Sequence, residues 1–154
     1  VAQSYINYYA TYPGGWGSIA LVDCKEMNNL TTAIKEQIIA HKDDLYSYDP
    51  IGKLQHYGLN PYVSSFKYIS FDTKQFMEDI NGGTIPSNFA NQLNKTILYA
   101  DCIEHTSDYT IEKSKFCGLG MYIPVKVRTS WNEYFKTLDW YTAAGWNEVS
   151  FNWE

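Results

Sequence analysis

The sequence predicts an α/β fold rich in helix, on three observations. A short unbroken apolar run, Ser18-Ile19-Ala20-Leu21-Val22, has the length and composition of a strand. Several longer stretches repeat apolar residues every three or four positions, which is the helical period. Cys117 to Val125 alternates Leu119, Met121 and Ile123 with Gly118, Gly120 and Tyr122, the period of a strand with one packed face. With 154 residues, 45% of them hydrophobic and 19% charged, the chain is long and apolar enough for one folded domain.

Taken in order, Tyr5, Tyr8, Tyr9 and Tyr12 recur at helical spacing, and Pro13-Gly14-Gly15 ends that helix. The run Ser18–Val22 follows; continuous apolarity suits a strand covered on both faces, as in a parallel sheet. Asp23 and Glu26 resemble a capping box, and Met27, Leu30, Ile34 and Ile38 mark one helical stripe running to about His41. Residues 43–69 are turn-rich, with Asp49-Pro50-Ile51-Gly52 and Gly58-Leu59-Asn60-Pro61, and read as an irregular surface excursion. Asp72 caps a second helix with Phe76, Met77 and Ile80 inward, stopped at Asn81-Gly82-Gly83. A third helix starts at Pro86-Ser87, carries Phe89, Leu93, Ile97 and Ala100, and fades near His105. Ser130 and Glu133 form a second capping box, opening a helix with Trp131, Tyr134, Leu138 and Tyr141 on its stripe and Gly145 at its end. Two strands make a poor sheet on their own, so Ile19–Val22 is expected to want neighbours.

Several function classes are excluded. The net charge is −5 and arginine occurs once, at Arg128, which speaks against a nucleic-acid binder. No apolar run reaches the ~20 residues of a membrane span. Three cysteines, Cys24, Cys102 and Cys117, are too few for a disulfide scaffold; a Cys102–Cys117 bridge stays open, and free buried thiols are the favoured reading. The chain opens Val1-Ala2-Gln3-Ser4, without an initiator Met or a signal pattern, as expected of a processed or truncated product.

Local chemistry is thin. Cys117 before Gly118-Leu119-Gly120 imitates a nucleophile turn with His105 as base, but no clear second partner orients His105, and an unpaired Cys more often packs. Cys102, Glu104, His105 and Asp108 offer metal-ligand types without the second ligand pair of a tetrahedral site. Asp43-Asp44 and Glu78-Asp79 are sequence neighbours, whereas paired catalytic acids converge from separate elements. Aromatics reach 17%, with fourteen Tyr and five Trp. Trp16, Trp131, Trp140, Trp146 and Trp153 suit either core packing or a stacking surface for sugars or proteins. The expected catalytic, metal-ligating and cofactor-binding residues are therefore none.

Four segments in order resemble the later half of the clostripain family of cysteine peptidases. They are Ser18–Asp23 with its following helix, Phe71-Asp72-Thr73-Lys74-Gln75-Phe76, Cys117-Gly118-Leu119-Gly120-Met121-Tyr122-Ile123-Pro124, and Tyr134-Phe135-Lys136-Thr137-Leu138-Asp139-Trp140-Tyr141 with Gly145-Trp146. Gly120 departs from the family pattern, which has Ser there. The resemblance implies a caspase-like α/β fold, of which residues 1–154 would be one region: the last sheet strands plus a C-terminal helical bundle. It also implies thiol proteolysis after Arg or Lys in the complete protein. The His-Gly and Ala-Cys segments that carry the family's dyad have no match here, so the dyad is expected upstream. The implied partners are that upstream segment and a peptide substrate, and the implied setting is an exported bacterial protein, secreted, periplasmic or at the cell surface. The alternative is a non-catalytic protein- or glycan-binding module built on the aromatic surface.

Overall fold

A computed structural model describes residues 2–11, 17–57, 70–104 and 110–152. Helix α1 (Ala2–Ala10) precedes strand β1 (Ser18–Val22). A 3-10 turn at Cys24–Glu26 leads into α2 (Met27–Ala40), followed by the short α3 (Lys42–Leu45). Strands β2 (His56–Tyr57) and β3 (Ser70–Asp72) come next, then α4 (Thr73–Ile80), α5 (Ser87–Thr96) and β4 (Ile97–Cys102). Strand β5 (Gly120–Met121) and helices α6 (Thr129–Lys136) and α7 (Asp139–Ala143) complete the order.

The strands form two small sheets. β1 pairs antiparallel with β4, Ala20 opposite Ala100, and the register slips between Leu21 and Val22. β2, β3 and β5 form an antiparallel sheet in that order, with Phe71 opposite both His56 and Met121. The parallel, doubly covered strand expected at Ser18–Val22 is thus corrected. It is antiparallel, and its Leu21 is 54% exposed, as is Leu98 on β4 at 59%. The short α3 and β2 replace part of the expected irregular stretch; residues 58–69 lie outside the described residues.

The third helix is shorter than its stripe suggested. α5 stops at Thr96, whose hydroxyl turns back onto the Gln92 carbonyl at 2.8 Å, and Ile97–Cys102 extends as β4. Ile97-Leu98-Tyr99 favours a pleated strand, and β1 offers it a ladder. Gly118 joins the two sheets. Its φ is +80°, a conformation that favours glycine, and a Cβ there would lie 2.6 Å from the Ala100 Cβ and 3.1 Å from the Ala20 Cβ.

The core sits under α2, α4 and the C-terminal helices. Leu30, Ala33, Ile34 and Ile38 on α2 and Phe76 and Met77 on α4 face it as expected, while Met27 and Ile80 are half-buried. Trp146 is its centre, stacked on Phe76 at 5.8 Å and on Phe151 at 6.2 Å between ring centroids. The second capping box does not form: Ser130 lies inside α6, and Glu133 pairs with Lys136 instead. The expected stripe of α6 also faces the wrong way. Asn132 and Phe135 are buried, whereas Tyr134 is exposed and Leu138 lies past the end of α6, as the extended residue before α7. Asn132 is fixed by Tyr122 Oη at 2.7 Å and by both backbone groups of Val125.

Candidate functional site

The Asp72 carboxylate, at the end of β3, is fully buried and accepts three hydrogen bonds. Its extended backbone places one oxygen to cap α4, accepting from Gln75 N at 3.0 Å. The other oxygen accepts from Tyr57 Oη at 2.7 Å and from the backbone N–H of Cys117 at 2.9 Å. Gln55 extends this network, donating to Tyr57 Oη at 2.9 Å and accepting from Glu112 N at 2.6 Å. One carboxylate therefore ties β2, β3, α4 and the segment entering β5.

This arrangement works against a nucleophile. The Cys117 thiol donates to the Leu119 carbonyl at 3.2 Å. Burial, and after it the Asp72 charge, push its pKa up to about 12. A reactive thiol needs the opposite, a positive and partly open setting. The same burial and the same carboxylate push the Tyr57 phenol upward. Cys102 is buried at the end of β4 and pushed up to about 11, by burial first and then by Asp101. Asp101 itself is held low, chiefly by its hydrogen bond from Lys113 at 2.6 Å. The favoured reading of free buried thiols holds for Cys102 and Cys117, and Cys24 is free and exposed.

Of the proposed base and metal ligands, His105 and Asp108 lie outside the described residues. His41 sits at the end of α2, 3.0 Å from Asn81 Oδ1 and 3.5 Å from Asp44. His56 lies on β2 with its ring edge-on to Phe71. Among the described residues no three His, Cys, Asp or Glu side chains converge as a metal site. Asp43 and Asp44 are exposed on α3. Asp79 accepts from Tyr48 Oη at 2.8 Å, so Glu78-Asp79 is a surface pair rather than a catalytic one. The five Trp do not make one platform: Trp146 is core, Trp131 and Trp140 are half-buried, and Trp16 and Trp153 lie outside the described residues. Sequence reasoning found Asp72 as a helix cap but missed its long-range role. Nothing local signals a bond to a backbone group 45 positions away.

No family sequence model matches the chain, and no curated protein sequence matches it. Solved structures do. A Bacteroides fragilis cysteine protease superposes with a TM-score of 0.78 at 19% identity, covering 99% of this chain and 66% of its own. A clostripain from Bacteroides thetaiotaomicron, in complex with a peptide inhibitor, gives 0.66 at 25% identity, covering 94% and 62%. The chain has the fold of part of a clostripain-type cysteine protease. A secreted C11 cysteine protease from the same species gives 0.63 at 25% identity, covering 94% of this chain and 39% of that one. The chain thus spans between 39% and 66% of the length of these three protease structures. Among the described residues, no helix is long and apolar enough to cross a membrane. At Gly120, where the family pattern has Ser, a Cβ would meet the Ser70 hydroxyl and come within 3.2 Å of the Tyr57 ring.

Proposed function

We propose that this chain is the C-terminal scaffold portion of a clostripain-like cysteine endopeptidase whose thiol nucleophile and imidazole base lie on polypeptide before residue 1. The observation that carries this reading is the match itself: nearly all of this chain aligns with protease structures, yet it accounts for only 39% to 66% of their length. The chemistry of the described residues supports it. The buried thiols of Cys102 and Cys117 are held protonated, and Asp72 is consumed by structural hydrogen bonds. The exposed Leu21 and Leu98 on the β1–β4 ribbon support it too, because a two-stranded ribbon with uncovered leucines is a weak fold by itself.

In this reading residues 1–154 form one region that positions the catalytic strands. The substrate is a peptide cleaved after Arg or Lys, as the family resemblance implies. The inhibitor-bound clostripain supports peptide recognition, and the secreted neighbour supports an exported bacterial protein. The test mixes this chain with the upstream polypeptide and follows hydrolysis of arginyl and lysyl esters. Activity is expected only from the mixture. Turnover by this chain alone at the rate of the mixture would refute the proposal.

A further inference from the structure

The chain has one Asn-Gly pair, Asn81-Gly82, at the end of α4. The turn there needs the glycine: Gly82 takes φ +65° and Gly83 after it φ +87°. That requirement leaves a labile bond on the surface. Gly82 is exposed, has no side chain to shield its backbone nitrogen, and nothing lies within 4 Å of where a Cβ would stand. A bond from that nitrogen to the Asn81 carboxamide carbon closes an unstrained five-membered ring. In the fold both reacting groups are engaged elsewhere. Asn81 Nδ2 donates to the Met77 carbonyl at 2.8 Å. The carboxamide oxygen therefore faces His41, and because it can only accept, His41 Nε2 donates to it at 3.0 Å. The Gly82 N–H donates to the Asp79 carbonyl at 3.2 Å. Met77 and Asp79 belong to α4 itself, whereas His41 reaches Asn81 from the end of α2.

We propose that Asn81 is a deamidation site guarded by His41. Ring closure requires the Asn81 side chain to leave both its partners and the backbone to turn about the Asn81 Cα–C bond. The Gly82 nitrogen then attacks the carboxamide carbon. Its proton is lost to solvent, the bond to Nδ2 breaks, and ammonia departs. Water opens the succinimide at either carbonyl and leaves aspartate or isoaspartate at position 81. The net exchange is one water in and one ammonia out, with no oxidant or reductant. The product acts on the fold. A carboxylate cannot donate to the Met77 carbonyl, and it sets a negative charge at the C-terminus of α4, the helix end that disfavours one. Isoaspartate also adds a methylene to the backbone of a turn that the Gly83 N–H closes onto the Glu78 carbonyl at 2.9 Å. Conversion therefore loosens the tie between α2 and α4, the helix whose other end is capped by Asp72.

The test incubates the chain at neutral pH and follows the peptide that contains Asn81 by mass spectrometry, which reads the exchange of amide for acid, with isoaspartate separated by its elution. The native chain is expected to convert at least about tenfold more slowly than chain held in urea, because two side-chain hydrogen bonds restrain the amide. His41→Ala is expected to speed conversion of the native chain roughly three- to tenfold, the worth of one hydrogen bond, and to leave the rate in urea unchanged. His41→Gln, which keeps an N–H donor, is expected to convert more slowly than His41→Ala. Gly52→Ala controls for stability: it strains a turn with open space around its Cβ and touches neither Asn81 partner, so it is expected to speed conversion less than His41→Ala does. The proposal is overturned if native and denatured chain convert at the same rate, if His41→Ala leaves the native rate unaltered, or if His41→Gln or Gly52→Ala converts as fast as His41→Ala.

Discussion

Replacing Asp72 by alanine removes the acceptor on which three donors converge. The Cys117 N–H and the Tyr57 hydroxyl lose their partner inside the fold, at 2.9 and 2.7 Å respectively. Each orphaned buried donor is worth about 1–3 kcal/mol. The Gln75 N–H at 3.0 Å loses its cap, about 1 kcal/mol more. The three share one carboxylate, so they do not add fully, and a loss of about 3–5 kcal/mol is expected. Asp72→Asn keeps one acceptor oxygen and should cost about 1–2 kcal/mol, the worth of a single weakened bond. Urea denaturation followed by Trp fluorescence measures both. With a slope of about 2–3 kcal/mol per molar urea, the alanine variant's midpoint should fall by roughly 1–2 M at unchanged slope. A loss below 1 kcal/mol, or an asparagine variant as damaged as the alanine one, refutes the assignment of Asp72 as the hub of this region.

Gly118→Ala should destabilise by about 2–5 kcal/mol, from strain at positive φ and from overlap with the Ala100 methyl, which cannot rotate away. Gly52→Ala, at φ +79° with nothing within 4 Å, should cost only about 1–2 kcal/mol by the same urea assay. Iodoacetamide at pH 8 should label Cys24 rapidly in the folded chain and leave Cys117 untouched, whereas the denatured chain should take three labels, read by mass spectrometry. Cys117 ionises near 8.5 when unfolded but only near 12 in the fold, so the unfolded state sheds its proton first and stability falls as pH rises between those values. Wild type should lose about 1.4 kcal/mol more than Cys117→Ala per pH unit inside that window. Leu21→Asp and Leu98→Asp should change the stability of this chain by less than about 1 kcal/mol, because both side chains already face solvent, yet weaken its association with the upstream polypeptide in a pull-down.

The sequence revealed elements where local pattern and tertiary demand agree. Ser18–Val22 reads as a strand because five apolar or small residues in a row fit little else, and Leu30, Ile34 and Ile38 on α2 lie on the face the core requires. It misled where two patterns coincide. Phe89, Leu93, Ile97 and Ala100 keep helical spacing across the α5–β4 boundary, and only the presence of β1 alongside decides that Ile97 begins a strand. Ser130 and Glu133 satisfy the spacing of a capping box, but α6 has already begun at Thr129. Asn132 is the buried polar residue of that helix because Val125 and Tyr122 need its amide, a requirement set seven and ten positions away and carried by no local motif. The Asp72–Cys117 bond was hidden for the same reason: it joins segments that only the fold brings together. The ordered set of family-like segments was the most informative signal, and the solved protease structures match the fold it implied.

Mapping the covalent adduct of a thiol-reactive arginyl or lysyl peptide on the complete polypeptide tests the central claim most directly. Mass spectrometry should find the stoichiometric, activity-abolishing label on a cysteine upstream of residue 1, with Cys102 and Cys117 unmodified. Stoichiometric, activity-abolishing modification of Cys102 or Cys117 would contradict the account.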